Sequence, residues 1–171
     1  MSETKKELYG WRASMGMSLY QKIKQDLKTS MVNKDNSVRD TMRLIMGDFP
    51  KLTVPITLEG GKKSTRPKKP EEITDDDILD IIRSFVKSEK INLEIRKQET
   101  SDYFELLNWY LPAMADRDTI VAWINENVDF SRFKSPAQAM GLVMKHFGKL
   151  AQGDLVKEIL QSVGTDGKLP H

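Results

Sequence analysis

The sequence of 171 residues predicts an all-α protein, an N-terminal helical hairpin or bundle followed by a compact C-terminal three-helix domain. Apolar residues recur at helical spacing through most of the chain, and helix-capping residues stand at the start of several of these segments. Pro112 separates two sets of helical patterns and marks the predicted domain boundary. We therefore expect domains over residues 17–111 and 112–163, flanked by a flexible extension over 1–16 and a frayed tail over 164–171.

The N-terminal domain is predicted to open with two consecutive helices. Ser18 and Gln21 have the spacing of a capping box, so the first helix should begin there. Its apolar residues recur every four positions, and the polar side chains between them, Lys22 included, are expected to face water. After a break at residues 33–36, a second helix should end before Pro50, because proline disfavours helix at the residue before it. The short break predicts a helical hairpin.

An irregular insert at residues 50–70 interrupts the helical pattern. Four apolar residues alternate with polar or proline positions, which predicts a strand; they are Leu52, Val54, Ile56 and Leu58. Because Pro55 lacks an N–H, this strand should lie at a sheet edge. Five bases then follow without an acid: Lys62, Lys63, Arg66, Lys68 and Lys69.

Five acids follow these bases over residues 71–77, around a helix start that Thr74 and Asp77 are expected to cap. Two interpretations of the charge reversal stay open. One is a solvated loop that leads into an acidic helix start, where carboxylates favour the positive end of the helix dipole. The other is a mobile basic arm for RNA or another anionic partner. The run Asp75-Asp76-Asp77 does not predict a cation site, because neighbouring helix positions point about 100° apart.

Three short helical patterns fill residues 112–163, the second opened by Ser135-Pro136-Ala137-Gln138 as a capping box and the third by Gly153-Asp154. Five bases near the last two helices form the candidate nucleic-acid site: Arg132, Lys134, Lys145, Lys149 and Lys157. A helix N-terminus at their junction would add N–H donors for phosphate. An ordinary solvated face is the alternative, since residues 111–171 carry seven acids and seven bases. Trp109 and Trp123 lie on apolar stripes, which favours core packing over base stacking.

The composition excludes most chemistry. The net charge is +2, there is no cysteine, and the only histidines are His146 and His171. These counts exclude disulfides, thiolate catalysis and multi-histidine metal sites, and no nucleotide-binding loop or nucleophile turn is found, so we expect no catalytic residue, cofactor or metal. No apolar stretch approaches the ~18 residues needed to span a membrane, and no signal peptide is evident. A cytoplasmic protein with no membrane partner is therefore expected.

Five segments, taken in order, resemble the GatB/YqeY group, which comprises the helical tail of the B subunit of the tRNA-dependent amidotransferase and its free-standing relatives. The resemblance covers roughly residues 17–163 and leaves out residues 1–16. The matching segments are Met17-Ser18-Leu19 through Asn33-Lys34-Asp35, Thr74-Asp75-Asp76-Asp77-Ile78-Leu79, Tyr110-Leu111-Pro112, Met140-Gly141-Leu142-Val143-Met144 and Ala151-Gln152-Gly153-Asp154-Leu155-Val156-Lys157.

The resemblance implies a longer N-terminal helical part and a compact C-terminal one. It also implies a non-catalytic accessory module that helps hold tRNA or an RNA–protein complex, because the tail holds tRNA while catalysis takes place elsewhere in the amidotransferase. A protein-interaction adaptor is the alternative, in which the strand in the 50–70 insert pairs with the sheet edge of a partner. A third possibility is an enzyme whose site is assembled only in an oligomer.

Overall fold

A computed structural model describes the backbone of residues 3–163 and the side chains from Lys5 onward. Over this range the protein is mostly helical, with one small antiparallel sheet, so the predicted all-α class is broadly correct. The predicted tail 164–171 lies outside the described residues. The elements are α1 (Glu3–Leu8), α2 (Leu19–Val32), α3 (Asn36–Gly47), β1 (Thr53–Thr57), β2 (Lys63–Pro67), α4 (Asp75–Arg96), α5 (Asp102–Asn108), α6 (Arg117–Asn127), α7 (Met140–Phe147) and α8 (Gly153–Gln161).

The chain divides into two compact units between Pro112 and Ala113, one residue from the boundary expected at 111/112. Each unit has its own apolar core, because buried residues form two separate clusters. In the first unit α2 packs on α3, and both contact α4. In the second unit α8 packs against both α6 and α7, around Ile120, Ile124 and Val143.

Two predicted capping boxes are confirmed. The hydroxyl of Ser18 accepts the N–H of Gln21 at 3.2 Å, and the side-chain oxygen of Gln21 accepts the N–H of Ser18 at 3.3 Å. Thr74 and Asp77 make the same reciprocal pair at the start of α4, at 3.2 and 2.9 Å. Each box satisfies two backbone donors that the first helical turn leaves unpaired. Local spacing was therefore sufficient to place these helix starts.

The expected flexible extension over residues 1–16 is wrong within the described range. Residues 3–8 form α1, and Tyr9 and Trp11 after it are buried in the first core, with 2% and 6% of their surface exposed. The N–H of Trp11 donates to the carbonyl of Trp109 at 3.1 Å, and its indole N–H donates to the carbonyl of Met17 at 2.8 Å. The burial of these two large aromatic rings anchors the segment to the first core, although its sequence shows no helical apolar period.

The prediction that Lys22 faces water is also wrong. Its side chain is buried, and its ammonium lies 2.5 Å from the carboxylate of Asp26, one helical turn further along α2. The same ammonium donates to the carbonyl of Leu8 at 3.3 Å. The segment after α1 thus covers a polar pair that the periodicity of α2 alone would place at the surface.

The 50–70 insert is a β-hairpin. β1 pairs antiparallel with β2, Val54 lying opposite Arg66. The N–H of Gly61 donates to the carbonyl of Leu58 at 3.1 Å and closes a four-residue turn. Gly60 is the third residue of that turn with φ +84°, a conformation that glycine adopts without steric cost. The predicted strand is therefore present, and the basic segment after Gly61 supplies its partner.

The predicted capping box at Ser135 does not form. Residues 136–139 are a 3₁₀ turn that runs into α7, and Ser135 makes no side-chain hydrogen bond to it. The amide oxygen of Gln138 instead accepts the N–H of Lys134 at 2.9 Å. The chain still turns into a helix at Pro136, but its first turn is tighter than the sequence indicates.

Candidate nucleic-acid interface

The five bases singled out in the C-terminal unit are all exposed: Arg132, Lys134, Lys145, Lys149 and Lys157. Their distribution is uneven although the unit is neutral overall. Residues 130–153 contain four bases and no acid, whereas residues 116–129 contain four acids and one base. Positive charge is thus concentrated on α7 and on the segments that flank it. Local concentrations of this kind attract phosphate even when the net charge is small.

The junction between α7 and α8 carries two of the lysines within one short turn of chain. Gly148 ends α7 with φ +54° and ψ −128°, a conformation available essentially to glycine alone. A 3₁₀ turn over Gly148–Leu150 follows and presents Lys149. The carbonyl of Leu150 accepts the N–H of Ala115 at 2.7 Å, which fixes the turn to the segment before α6. Lys145 lies in the last turn of α7, just before this junction.

The N-terminus of α8 faces the same stretch of chain. Gln152 precedes the helix and makes no side-chain hydrogen bond to its first turn. That turn contains Asp154, so it offers a phosphate backbone N–H groups rather than net positive charge. Lys157 follows on the next turn and is exposed. Lysine charge and helix N–H donors therefore come close together along the chain, as the sequence predicts.

Two arginines at the edge of this region form ion pairs with acidic side chains. The guanidinium of Arg132 lies 3.3 Å from the carboxylate of Asp129, and both side chains are more than half exposed, so water screens the pair. Arg117 on α6 donates to Glu158 on α8 at 2.7 Å. This second pair holds two helices of the unit together beside Lys157. Arg132 therefore already has an acidic neighbour with which an RNA phosphate would compete.

An aromatic cluster joins α6 to α7, where His146 directly follows Lys145 in the chain. The rings of Trp123 and His146 are stacked, with centroids 4.2 Å apart and an angle of 14° between their planes. Phe147 meets both rings edge-on, at 5.6 and 4.7 Å. Trp123 is partly buried against the second core, so the predicted core packing of this residue is confirmed. His146 is exposed. The sequence did not indicate the stack, because its two members lie on different helices.

The basic residues of the insert are neither a solvated loop nor a mobile arm. They belong to β2 and its flanks, and two of them pair with the acids that follow. Both guanidinium nitrogens of Arg66 donate to the carboxylate of Glu72, at 2.7 and 2.6 Å. The ammonium of Lys68 donates to Asp77 at 2.6 Å. Two of the five bases are therefore paired with acids of the same region, which leaves less charge for an RNA partner; Lys62, Lys63 and Lys69 remain exposed.

These pairs shift the acidity of the two carboxyl groups. The bidentate hydrogen bond from Arg66, helped by the N–H of Lys69, lowers the pKa of Glu72 to about 2. Burial raises the pKa of Asp77, but the hydrogen bonds from Lys68 and Thr74 outweigh it, and the pKa lies below its usual range. Both carboxylates are therefore ionised at neutral pH and fix the hairpin to the start of α4.

The outer edge of β1 is poorly suited to pairing with another strand. The N–H of Leu58 donates to Lys62 and the N–H of Lys68 donates to Leu52, so this alternating set of residues faces inward across the hairpin. The intervening residues of β1 turn their backbone groups outward. Pro55 stands in the middle of that set and has no N–H to donate. A partner strand added along this edge would therefore lack one backbone hydrogen bond at Pro55. The adaptor hypothesis for residues 50–70 stays a prediction.

The acidic run at the start of α4 has structural partners. Asp75 accepts the N–H of Leu19 at 2.7 Å and so caps α2, while Asp77 caps its own helix. Within residues 5–163 no three carboxylate or histidine side chains are grouped so that they could hold a metal ion. None of the helices described is both long and apolar enough to cross a membrane.

The sequence model described as Yqey-like protein matches residues 20–163 of this chain. That match covers well over half of the sequence and extends from α2 to α8, so the resemblance drawn from the motifs is confirmed. It leaves out α1 and the buried aromatic residues that follow it. No curated protein matches the chain.

Proposed function

This chain belongs to the YqeY-like protein family, and from that membership and its exposed lysines we propose that it is a non-catalytic accessory module that binds tRNA or an RNA–protein complex. The phosphate backbone is held by Lys145, Lys149 and Lys157 around the α7–α8 junction. Backbone N–H groups at the start of α8 add donors to the same site.

One observation carries the proposal: residues 130–153 expose basic side chains and contain no acid. An ordinary solvated face mixes both signs, as residues 116–129 do and as Arg66 and Lys68 do with their acidic partners. Exposed lysines attract phosphate oxygens and release the counterions of RNA on binding. Such contacts position an RNA without reading its sequence, which suits an accessory role.

The same proposal includes that the protein does not itself catalyse a reaction. His146 is the histidine within the described residues, and its ring is stacked on Trp123. Three charged residues of the first unit are buried, and each has a partner. Lys22 and Asp26 pair with each other, and Glu89 accepts the hydroxyl of Ser101 at 2.9 Å. In the proposed function the lysines at the junction hold phosphate, and they do not act as nucleophiles or general bases.

The test is a titration of tRNA by gel shift at 50 and 200 mM salt. The K145E/K149E/K157E variant replaces three positive charges with three negative ones at the proposed site. The matched control, K28E/K87E/K90E, makes the same charge change on exposed lysines of α2 and α4 in the other unit. Circular dichroism spectra verify that both variants keep their helical content.

We expect the wild type and the control to shift tRNA at 50 mM salt and to bind more weakly at 200 mM. We expect the site variant to lose at least tenfold in affinity, since each phosphate contact contributes electrostatically. Equal binding by the two triple variants, or no binding by the wild type at 50 mM, would overturn the proposal.

A further inference from the structure

We propose that the stacked rings of Trp123 and His146 form a platform on which one unpaired RNA base stacks, beside the lysines of the α7–α8 junction. The inference rests on the proposed function and specifies the kind of RNA that the C-terminal unit takes. The ligand is a single-stranded nucleotide, as found in a loop or at a free end, rather than a continuous duplex.

The geometry of the stack supports this role. The ring planes lie within 14° of parallel at 4.2 Å, so Trp123 backs the imidazole of His146 across its face. Trp123 is itself held by the second core, and Phe147 contacts both rings edge-on. The outer member of the stack, His146, is exposed. A rigid aromatic ring whose position is fixed from behind loses little entropy when a base stacks on it.

The surroundings of the stack favour a nucleotide over an apolar protein partner. Lys145 directly precedes His146 in the chain, and Lys149 follows three residues later across the Gly148 turn. No acid occurs from residue 130 to residue 153, so the basic surroundings of the stack lie on the side of His146, whereas the helix of Trp123 carries Asp118 and Glu126. Aromatic rings between basic side chains combine base stacking with phosphate binding, which is how proteins hold single-stranded nucleic acid.

The same arrangement discriminates against double-stranded RNA. In a duplex each base is already stacked between its neighbours, and side chains reach mainly the phosphates and 2′-hydroxyls. An imidazole on the surface of α7 therefore gains a stacking partner only when a base is splayed out. Lysine contacts to phosphate are available from both kinds of RNA, so only the single-stranded affinity should depend on His146.

The test uses a short single-stranded RNA with one 2-aminopurine, whose fluorescence is quenched on stacking, and a blunt-ended duplex RNA of equal length that has no unpaired base. His146→Ala removes the outer ring, and His146→Phe restores an aromatic face without the imidazole. Leu142→Ala is the matched control, because Leu142 is an exposed apolar residue of the same helix. Gel shift of tRNA by each variant is measured in parallel.

We expect His146→Ala to bind the single strand about 5- to 150-fold more weakly, the range for loss of one stacked base, and to lose the quenching. Binding of the duplex should be unchanged, and His146→Phe and Leu142→Ala should behave as the wild type. If the wild type binds both RNAs and His146→Ala quenches equally well, the platform is refuted while the RNA-binding function stands. If the wild type binds no RNA, both proposals fall.

Discussion

The hydroxyl of Tyr110 donates to the carboxylate of Asp26 at 2.6 Å and so joins two buried residues 84 positions apart in the chain. The other carboxylate oxygen lies 2.5 Å from the ammonium of Lys22, and the N–H of Gly10 is 3.4 Å from the carboxylate. Burial, together with the charge of Asp26, raises the pKa of Tyr110 well above its usual range. Three chain segments therefore meet at one carboxylate in the first unit.

Tyr110→Phe should destabilise the protein, because it removes one donor from a carboxylate that is 1% exposed. We expect a loss of about 1–3 kcal/mol in the free energy of unfolding, the range for a buried group left without a hydrogen bond. Urea unfolding followed by far-ultraviolet circular dichroism measures it. Tyr20→Phe is the control, since the Tyr20 ring stacks on Phe49 and keeps this contact without its hydroxyl. Equal stability of the two variants would contradict the account.

Gly10→Ala should be more destabilising than Gly16→Ala, although both glycines have positive φ, +101° and +65°. A Cβ at Gly10 would lie 2.8 Å from the carbonyl oxygen of Trp109, whereas one at Gly16 meets nothing within 4 Å. We expect Gly10→Ala to lose about 1–3 kcal/mol more in the free energy of unfolding, the range for an overpacked site. Equal losses in thermal and urea unfolding would mean that residues 9–11 do not pack against Trp109 as described.

Glu72 should titrate far below its ordinary pKa of 4.5, at about 2, because Arg66 binds its carboxylate through two nitrogens. The pKa is lower in the folded state, so ionised Glu72 stabilises the fold above about pH 4.5, and this contribution disappears as the pH falls towards 2. Carbon-13 NMR of the Glu72 carboxyl group measures the pKa directly. Arg66→Gln should move the pKa of Glu72 back towards 4.5. A pKa near 4.5 in the wild type would contradict the pairing of Arg66 with Glu72.

The helix starts were predictable wherever the signal is local. Ser18 and Thr74 each interact with a side chain three residues on, and this spacing is visible in the sequence. The same reasoning fails at Ser135, where a 3₁₀ turn begins at Pro136 and the amide oxygen of Gln138 accepts the N–H of Lys134 instead. A capping box is thus a reliable signal until a neighbouring residue takes one of its partners.

The long-range contacts were not predictable from any periodic pattern. Lys22 lies on the polar side of α2 by spacing, and its burial depends on Asp26 and on the segment after α1. Tyr9 and Trp11 form no helical stripe, so residues 1–16 read as an extension although both rings are buried. In each case burial depends on a contact with a residue distant in sequence or on the size of the side chain, and neither appears in a periodic pattern.

The candidate site was predicted in part. The exposed lysines at 145, 149 and 157 follow from composition around a helix junction, and the structure describes them as exposed. The Trp123–His146 stack requires two helices to pack in one particular rotation, which single-helix patterns do not specify. The five bases of the insert left a solvated loop and a basic arm as alternatives, because spacing along the chain does not show that Arg66 and Lys68 pair with Glu72 and Asp77.

The most direct measurement is the salt dependence of tRNA affinity for the wild type and for K145Q/K149Q/K157Q, which removes the charges without reversing them. Filter binding from 50 to 300 mM salt gives the slope of log affinity against log salt concentration. If these lysines contact phosphates, the slope of the variant should be smaller by about 2–3, since each contact contributes roughly 0.7–0.9. An unchanged slope with unchanged affinity would contradict the assignment of RNA binding to the α7–α8 junction.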